Sequence, residues 1–389
     1  MLSNKHLLDW SCIVSQQMNH LSLPQVAGLA TWSFGMVMTK SSSLTQVSNF
    51  IAKINGEKAN TVRQRLKEWY QEASAKTGNK RCSLDVSSCF APLMRWVISL
   101  LPRKIEQIAL ALDATSISDK FVVLSLNIML AGCGIPMAWC VVKASEPGSW
   151  KPHWQKLIEQ LQDAIPSRFE VIVTADRGLY APWLYQLIVQ ARWHPFLRIN
   201  HQGTYRIPPN QRWRPLAEVV RTPGQLWSGR VVCFQTNPLP CTLLARWDIG
   251  YKDPWLILTD LAPSQADPLW YGLRSSTECV YRDLKSDGWQ WHHTRLLDPN
   301  RAERLLLAIA VATLWMVMLG GDAENQLLSS QHIPCSQPLH PPPLRQVSCF
   351  LQGLLTLIAN LVNDIPIRLH RWSSFPSTPV DAFYYPNSS

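Results

Sequence analysis

The chain has 389 residues, 47% hydrophobic and only 16% charged, yet 37 Lys and Arg face 27 Asp and Glu, a formal net charge of +10. That apolar content excludes a disordered polyelectrolyte, because it suffices to build cores. The one-signed surplus argues against a neutral metabolic enzyme and for a polyanionic partner, either nucleic acid or acidic membrane.

The surplus is unevenly placed. Residues 1–105 carry a balance of +8, 106–199 are neutral, 200–263 carry +3, 264–325 carry −2, and 326–389 carry +1. The first quarter therefore reads as an electrostatic attachment module beside a nearly neutral core. These five segments are the expected domain organisation, in line with the two or three domains that the length suggests. Residues 1–20 alternate polar and apolar side chains and lack the continuous apolar stretch of a secretory signal. None of the ten cysteines forms a CxxC pair, which argues against a zinc ribbon or finger. A reducing, cytoplasmic setting is expected.

In chain order, 44–54 (LTQVSNFIAKI) has helical periodicity, Asn55-Gly56 signals a turn, and 61–72 resumes as a helix. Thr61 and Gln64 stand at capping-box spacing. Arg63, Arg65 and Lys67 make this second helix basic, and the pair resembles a helix-turn-helix able to grip DNA. The stretches 107–113, 121–130 and 135–142 read as a three-stranded meander, with Gly132 and Gly134 marking one turn. A helix over 151–163, a strand over 171–176, a helix over 179–192 and a strand over 195–199 follow. That order predicts an α/β fold, a mixed sheet flanked by helices. Residues 200–263 read as a separate β-rich insertion, and 264–286 and 299–320 as helices. The run 305–320 (LLLAIAVATLWMVMLG) falls short of the roughly 17–25 residues that span a bilayer. It is expected to be a buried core helix, so no membrane partner is expected. A polyproline break at 338–343, a helix at 344–363 and a loose tail close the chain.

Asp113 and Asp176 each end an apolar run. Parallel neighbours would bring such ends to one sheet edge, the usual place for a site. On a continuous helix of about 100° per residue, Tyr271, Arg274, Glu278 and Lys285 would share an arc of about 60°. Leu269, Leu273, Val280 and Leu284 would face the core from the opposite side. His292 and His293 are adjacent, a placement from which two rings diverge rather than chelate.

The spacing Tyr-x2-Arg-x3-Glu-x6-Lys, met by Tyr271, Arg274, Glu278 and Lys285, resembles the signature of bacterial insertion-sequence DDE transposases. Asp113 on the first core strand and the Asp176-Arg177-Gly178 segment stand in that family's order, over roughly residues 40–320. The resemblance implies a ribonuclease H-like catalytic core with a β-rich insertion, an N-terminal helical domain and a C-terminal helical tail. It implies Asp113, Asp176 and Glu278 as catalytic, metal-binding acids. Such an oxygen-rich set suits two Mg²⁺ or Mn²⁺ ions. It implies that Tyr271, Arg274 and Lys285 grip phosphates at the element's ends, and that Trp255 stacks on a base flipped from the duplex. The expected activity is two-metal DNA cleavage and joining of 3′ ends to target DNA by a homodimer. A nuclease on the same fold that does not transpose, a catalytically dead DNA-binding derivative, and a membrane protein that uses 305–320 are the alternatives.

Overall fold

The computed structural model describes residues 4–78, 81–146, 150–209, 212–285, 288–330 and 347–373. The predicted polyproline break and the end of the tail lie outside these residues. Five helices come first: α1 (Lys5–Gln17), α2 (Leu23–Thr39), α3 (Leu44–Asn55), α4 (Ala59–Tyr70) and α5 (Ser87–Leu100). Gly56, in the left-handed region at φ 66°, ends α3 where Asn55-Gly56 predicted a turn. α4 begins at Ala59 rather than Thr61, so the expected capping box does not form. Gln64 instead donates to Glu68 one turn on.

The strands follow as β1 (Gln107–Ile117), β2 (Phe121–Leu130) and β3 (Cys133–Lys143). Next come α6 (Lys151–Gln162), β4 (Glu170–Ala175), α7 (Pro182–Gln190) and β5 (His194–Ile199). The meander β1–β2–β3 is antiparallel, while β4 lies parallel to β1 and β5 parallel to β4. The order β3-β2-β1-β4-β5, with helices crossing between the parallel strands, is the ribonuclease H-like arrangement.

The sheet does not stop there. Strands β6 (Thr204–Arg206), β7 (Arg214–Pro215), β8 (Leu226–Cys233), β9 (Leu239–Arg246) and β10 (Trp255–Thr259) continue it beyond β5 in the order β10-β9-β8-β6-β7. The segment 200–263 therefore extends the same ten-stranded sheet rather than standing apart. β10 returns antiparallel onto β5, pairing Leu256 with Ile199, and this pairing joins the two halves.

A 3-10 helix (Pro268–Ser275), α8 (Ser276–Leu284), α9 (Pro299–Ser330) and α10 (Cys349–Val362) complete the chain. α9 is apolar on every side, with a mean hydropathy of 2.0 over its most apolar window, of which 94% is buried. A helix with no polar face must be covered all round. β3 covers it on one side, where Glu303 accepts the Val141 N–H at 2.8 Å and the Trp139 indole donates to the Glu303 carbonyl. The N-terminal helices cover another, where Trp10 of α1 stacks on Trp315 at 3.9 Å, and the segment after α8 adds Trp289, which donates to Thr313 at 2.9 Å. α10 covers a third. A Cβ on Gly320 would collide with the Cys349 carbonyl, and one on Gly353 with the Met316 carbonyl, so the two backbones touch. Residues 1–105 are thus part of one continuous core, not a body tethered beside it.

An ionic clasp locks that packing. Glu72, just past α4, receives Arg301 at 2.7 Å and Arg304 at 3.2 Å. Arg304 is only 8% exposed and also donates to the carbonyls of Leu84 and Tyr70. The Arg301 hydrogen bonds, with Arg304 adding to them, hold the Glu72 carboxyl down at about 2.

Two stability outcomes follow from these contacts. Glu72→Gln leaves a buried guanidinium short of its counter-charge and should cost about 1–3 kcal/mol at pH 7. A carboxylate with a lowered folded-state pKa stabilises above the ordinary carboxylate range and loses that contribution as pH falls toward 2. The gap between variant and wild type in urea denaturation should therefore close over that acidic window. Gly320→Ala should part α9 from α10 and lower stability by about 1–3 kcal/mol, while Leu319→Met, beside it, should cost less.

Candidate active site

Asp113 does not end its strand, as the sequence suggests. β1 runs on to Ile117, paired with β2 alone, because its parallel partner β4 stops at Ala175 opposite Leu112. Asp113 is thus the first residue past the parallel pairing, and Asp176 follows β4 directly. Adjacent parallel strands place the two acids side by side at one edge. Asp176 Oδ1 accepts the N–H groups of Gly178 and Leu179 at 2.9 and 3.1 Å, which fixes the turn after β4. Asp113 accepts the Ala114 N–H at 2.8 Å.

One cation joins the two acids. Arg274 Nη2 lies 3.3 Å from Asp176 Oδ2 and 3.5 Å from Asp113 Oδ2. Burial, with some repulsion from Asp176, pushes the Asp113 carboxyl above its ordinary value; Arg274 and the Ala114 N–H oppose the shift. Asp113 is 13% exposed at its side chain and Asp176 40%, so one acid is sunk in the sheet and the other meets solvent.

The four-residue face does not form as predicted. The stretch is two helices of different pitch: 3-10 geometry through Ser275, then α-helix from Ser276. A 3-10 turn takes 3.0 residues against 3.6, so the angular register shifts at the junction. Tyr271 is 4% exposed and packs with Ile172, Phe196, Leu244, Ile257 and Trp270. Burial chiefly raises its hydroxyl pKa. Arg274 reaches the acids, and Lys285, beyond the end of α8, donates to Thr115 at 3.1 Å. Burial lowers the Lys285 pKa, and Asp113 opposes that shift. Glu278 is exposed. Leu273, Val280 and Leu284 do face the core as the spacing implies.

The contacts of α8 explain the position of Glu278. Thr277, fully buried, lies by Asp113 and donates to the Arg274 carbonyl at 2.7 Å. One turn on, the Tyr281 hydroxyl meets Ser125 at 3.2 Å, and Ser125 is the register partner of Asp113 on β2. Positions 277 and 281 therefore form the face that covers Asp113. Glu278 is one residue, about 100°, around from it. Gly134 permits this close docking, since a Cβ there would collide with Val280. Ser125, Asn127, Thr115, Thr277 and Tyr281 are not singled out by the sequence. One signal was present: Ser125 and Asn127 interrupt an otherwise apolar strand at alternate positions, so both point to one face.

Among the described residues, no three His, Cys, Asp or Glu side chains come together as a metal cage. The Asp113–Asp176 pair nonetheless fits a cation. Two carboxylates share one positive group at the end of the β1–β4 parallel pairing, and their donor oxygens are of the hard type that Mg²⁺ and Mn²⁺ take. Glu278 is not placed with them. His292 and His293 do not diverge as expected, because their ring centroids are 3.8 Å apart.

The remaining predicted residues lie elsewhere. Trp255 opens β10, half-buried, with its ring edge-to-face on Tyr271 at 5.2 Å. On α4, Arg65 pairs with Glu57 at 2.9 Å and Arg63 donates to Thr45 at 2.7 Å, both on the exposed side. Lys67, in the last turn, is also exposed.

Comparison with known proteins locates a family over part of the chain. The family model described as "Transposase DDE domain" matches residues 146–315, a span that includes Asp176 and Glu278 but not Asp113. No curated protein matches the chain. Among solved structures, a piggyBac transposase synaptic complex with hairpin DNA aligns at 10% identity over 89% of this chain and 86% of that one. The TM-score is 0.35, too low to bear on fold or function. Residues 146–315 of this chain are thus similar to a transposase DDE domain.

Proposed function

We propose that the protein binds the ends of an insertion sequence, cuts the DNA there and joins the freed 3′ ends to target DNA. The observation that carries this reading is the convergence of Asp113 and Asp176, from adjacent parallel strands, on one positive charge. Asp113, Asp176 and Glu278 would hold two Mg²⁺ or Mn²⁺ ions. When bound, these would activate the attacking oxygen and stabilise the leaving one in an in-line displacement.

The chain's own groups do the rest. In cleavage, the oxygen of water bonds to the scissile phosphorus, the phosphorus–O3′ bond breaks, and O3′ leaves as the new 3′ hydroxyl. In joining, that hydroxyl bonds to a target phosphorus and displaces the target's own O3′. Arg274 and Lys285 border the acid pair and can give charge-assisted hydrogen bonds to the phosphates on either side. Tyr271 supports Trp255 by edge contact, which leaves Trp255 at the rim as a stacking surface for an unpaired base. Arg63, Arg65 and Lys67 on α4 supply the outward grip on the ends. The acting form is taken to be a homodimer that pairs two ends. For Glu278 to join the acids, α8 must turn by about one residue step, 100°.

Asp113→Ala, Asp176→Ala and Glu278→Ala should each lower Mg²⁺-dependent cleavage and strand transfer by at least about a hundredfold. Binding to end DNA in a gel shift should persist. Full activity in any single variant refutes the assignment of that acid. Cleavage without joining would favour the nuclease reading. If the wild type binds DNA but does not cut it, that favours a catalytically dead derivative, the reading to which the exposed Glu278 lends some support. Arg274→Gln removes the shared cation, so Mg²⁺ should raise the melting temperature of this variant more than that of the wild type.

A further inference from the structure

A second basic site lies at the opposite edge of the sheet. A surface concavity of about 390 Å³ is lined by Arg95, Ile98, Ser99, Arg103, Ala164, Pro166, Arg168 and Arg371. Four of these eight side chains are guanidinium groups and none is a carboxylate. They come from three distant segments: α5 and the turn after it, the loop after α6, and the strap that follows α10. Arg103 precedes β1 and Arg168 precedes β4, whereas Asp113 and Asp176 lie at the far ends of the parallel pairing. With strands rising about 3.3 Å per residue, roughly 20 Å separates the two edges.

The pocket is built, not incidental. The strap is pinned, since the Trp372 N–H donates to the Leu100 carbonyl at 2.9 Å and its indole to the Met318 carbonyl at 2.8 Å. Arg371 Nε donates to the Ser99 carbonyl at 2.9 Å. The carboxyl end of α5 accounts for the position of Arg371, because helix C-termini favour cations. It does not account for the other three. Arg168 lies over the Phe169 ring, 4.6 Å from its centroid. Among the described residues, none of Arg95, Arg103, Arg168 and Arg371 is in a salt bridge, although Arg65, Arg246, Arg274, Arg301 and Arg304 all are. Four like charges gathered without a counter-charge repel one another unless a polyanion sits among them.

We infer that this pocket grips the phosphate backbone of duplex DNA. All four arginines are exposed, Ile98, Ala164 and Pro166 carry no side-chain hydrogen-bonding group, and the one lining hydroxyl, Ser99, donates to the Trp96 carbonyl at 2.7 Å. That is the signature of sequence-independent positioning, not direct base readout. The inference deepens the proposed function, because it supplies a second hold on DNA about 20 Å, or roughly six base pairs, from the acids.

The test uses the full chain in EDTA with a labelled 40-base-pair duplex of arbitrary sequence, so that no cutting occurs. Each phosphate contact contributes about 0.9 to the slope of log K against log salt. The triple variant Arg95→Gln, Arg103→Gln, Arg168→Gln should lower that slope by up to about 2.7 and weaken binding at least about tenfold at 150 mM salt. Its melting temperature should be no lower than that of the wild type, since the substitutions relieve like-charge repulsion. An unchanged slope overturns the inference. It is also overturned if inorganic tripolyphosphate stabilises the wild type but not the triple variant while the DNA slope is unchanged, because the pocket then serves a small anion. The two readings fail separately. A protein that binds DNA through these arginines yet never cuts keeps the grip and loses the chemistry. One that cuts with an unaltered slope loses only the grip.

Discussion

The burial of α9 organises the molecule. A helix whose most apolar window is 94% buried has no face to give to water, so every neighbouring element is recruited as cover. β3 takes one side, α1 and α2 another, and α10 a third through backbone contact at Gly320 and Gly353. Each fully buried Leu, Ile, Val or Met contributes about 1.5–3 kcal/mol, so this one helix sets a large part of the core's stability. The consequence for function is positional. β3 holds β2 and β1 in register, and β1 presents Asp113 at the point where its parallel partner ends.

At that point electrostatics takes over from packing. A carboxylate sunk beside another is unfavourable unless a cation balances the pair. Arg274 supplies that charge from the 3-10 segment, and Thr277 and Tyr281 of α8 close over Asp113. The acid pair and the helix that carries Glu278 are therefore coupled through one guanidinium. A change of cation between the acids is also a change in what holds α8 in place. On this view the exposed Glu278 and the paired Arg274 are two aspects of a single helix position.

Much of this architecture is legible in the sequence, for physical reasons. Strands β1 to β5 are nearly continuous apolar runs because helices cover both faces of the parallel part, and such runs stand out. Gly132 marks the β2–β3 turn with φ 72°. The run 305–320 shows its burial by being apolar all round. Other features leave no local trace. Leu269 to Leu284 keep helical spacing through a change of pitch, so the shift at Ser276 that separates Tyr271 from Glu278 is invisible in the spacing. The pairing of Leu256 with Ile199 joins distant residues, so 200–263 reads as a separate unit although it extends the same sheet. Charge marks residues 1–105 as basic, but only the stacking of Trp10 on Trp315 reveals that they belong to the main core. Arg95, Arg103, Arg168 and Arg371 are scattered in sequence and meet only in the fold.

The proposed site would hold divalent cations among Asp113, Asp176 and Glu278 once α8 turns to bring Glu278 in. The most direct measurement replaces those cations with Fe²⁺ and, with ascorbate and peroxide, maps where locally generated hydroxyl radicals cut the protein's own backbone. Three clusters of cuts are expected, near Asp113 on β1, in the turn after Asp176, and around Glu278 on α8, all suppressed by excess Mg²⁺. Cuts confined to other segments, or insensitive to Mg²⁺, would contradict it.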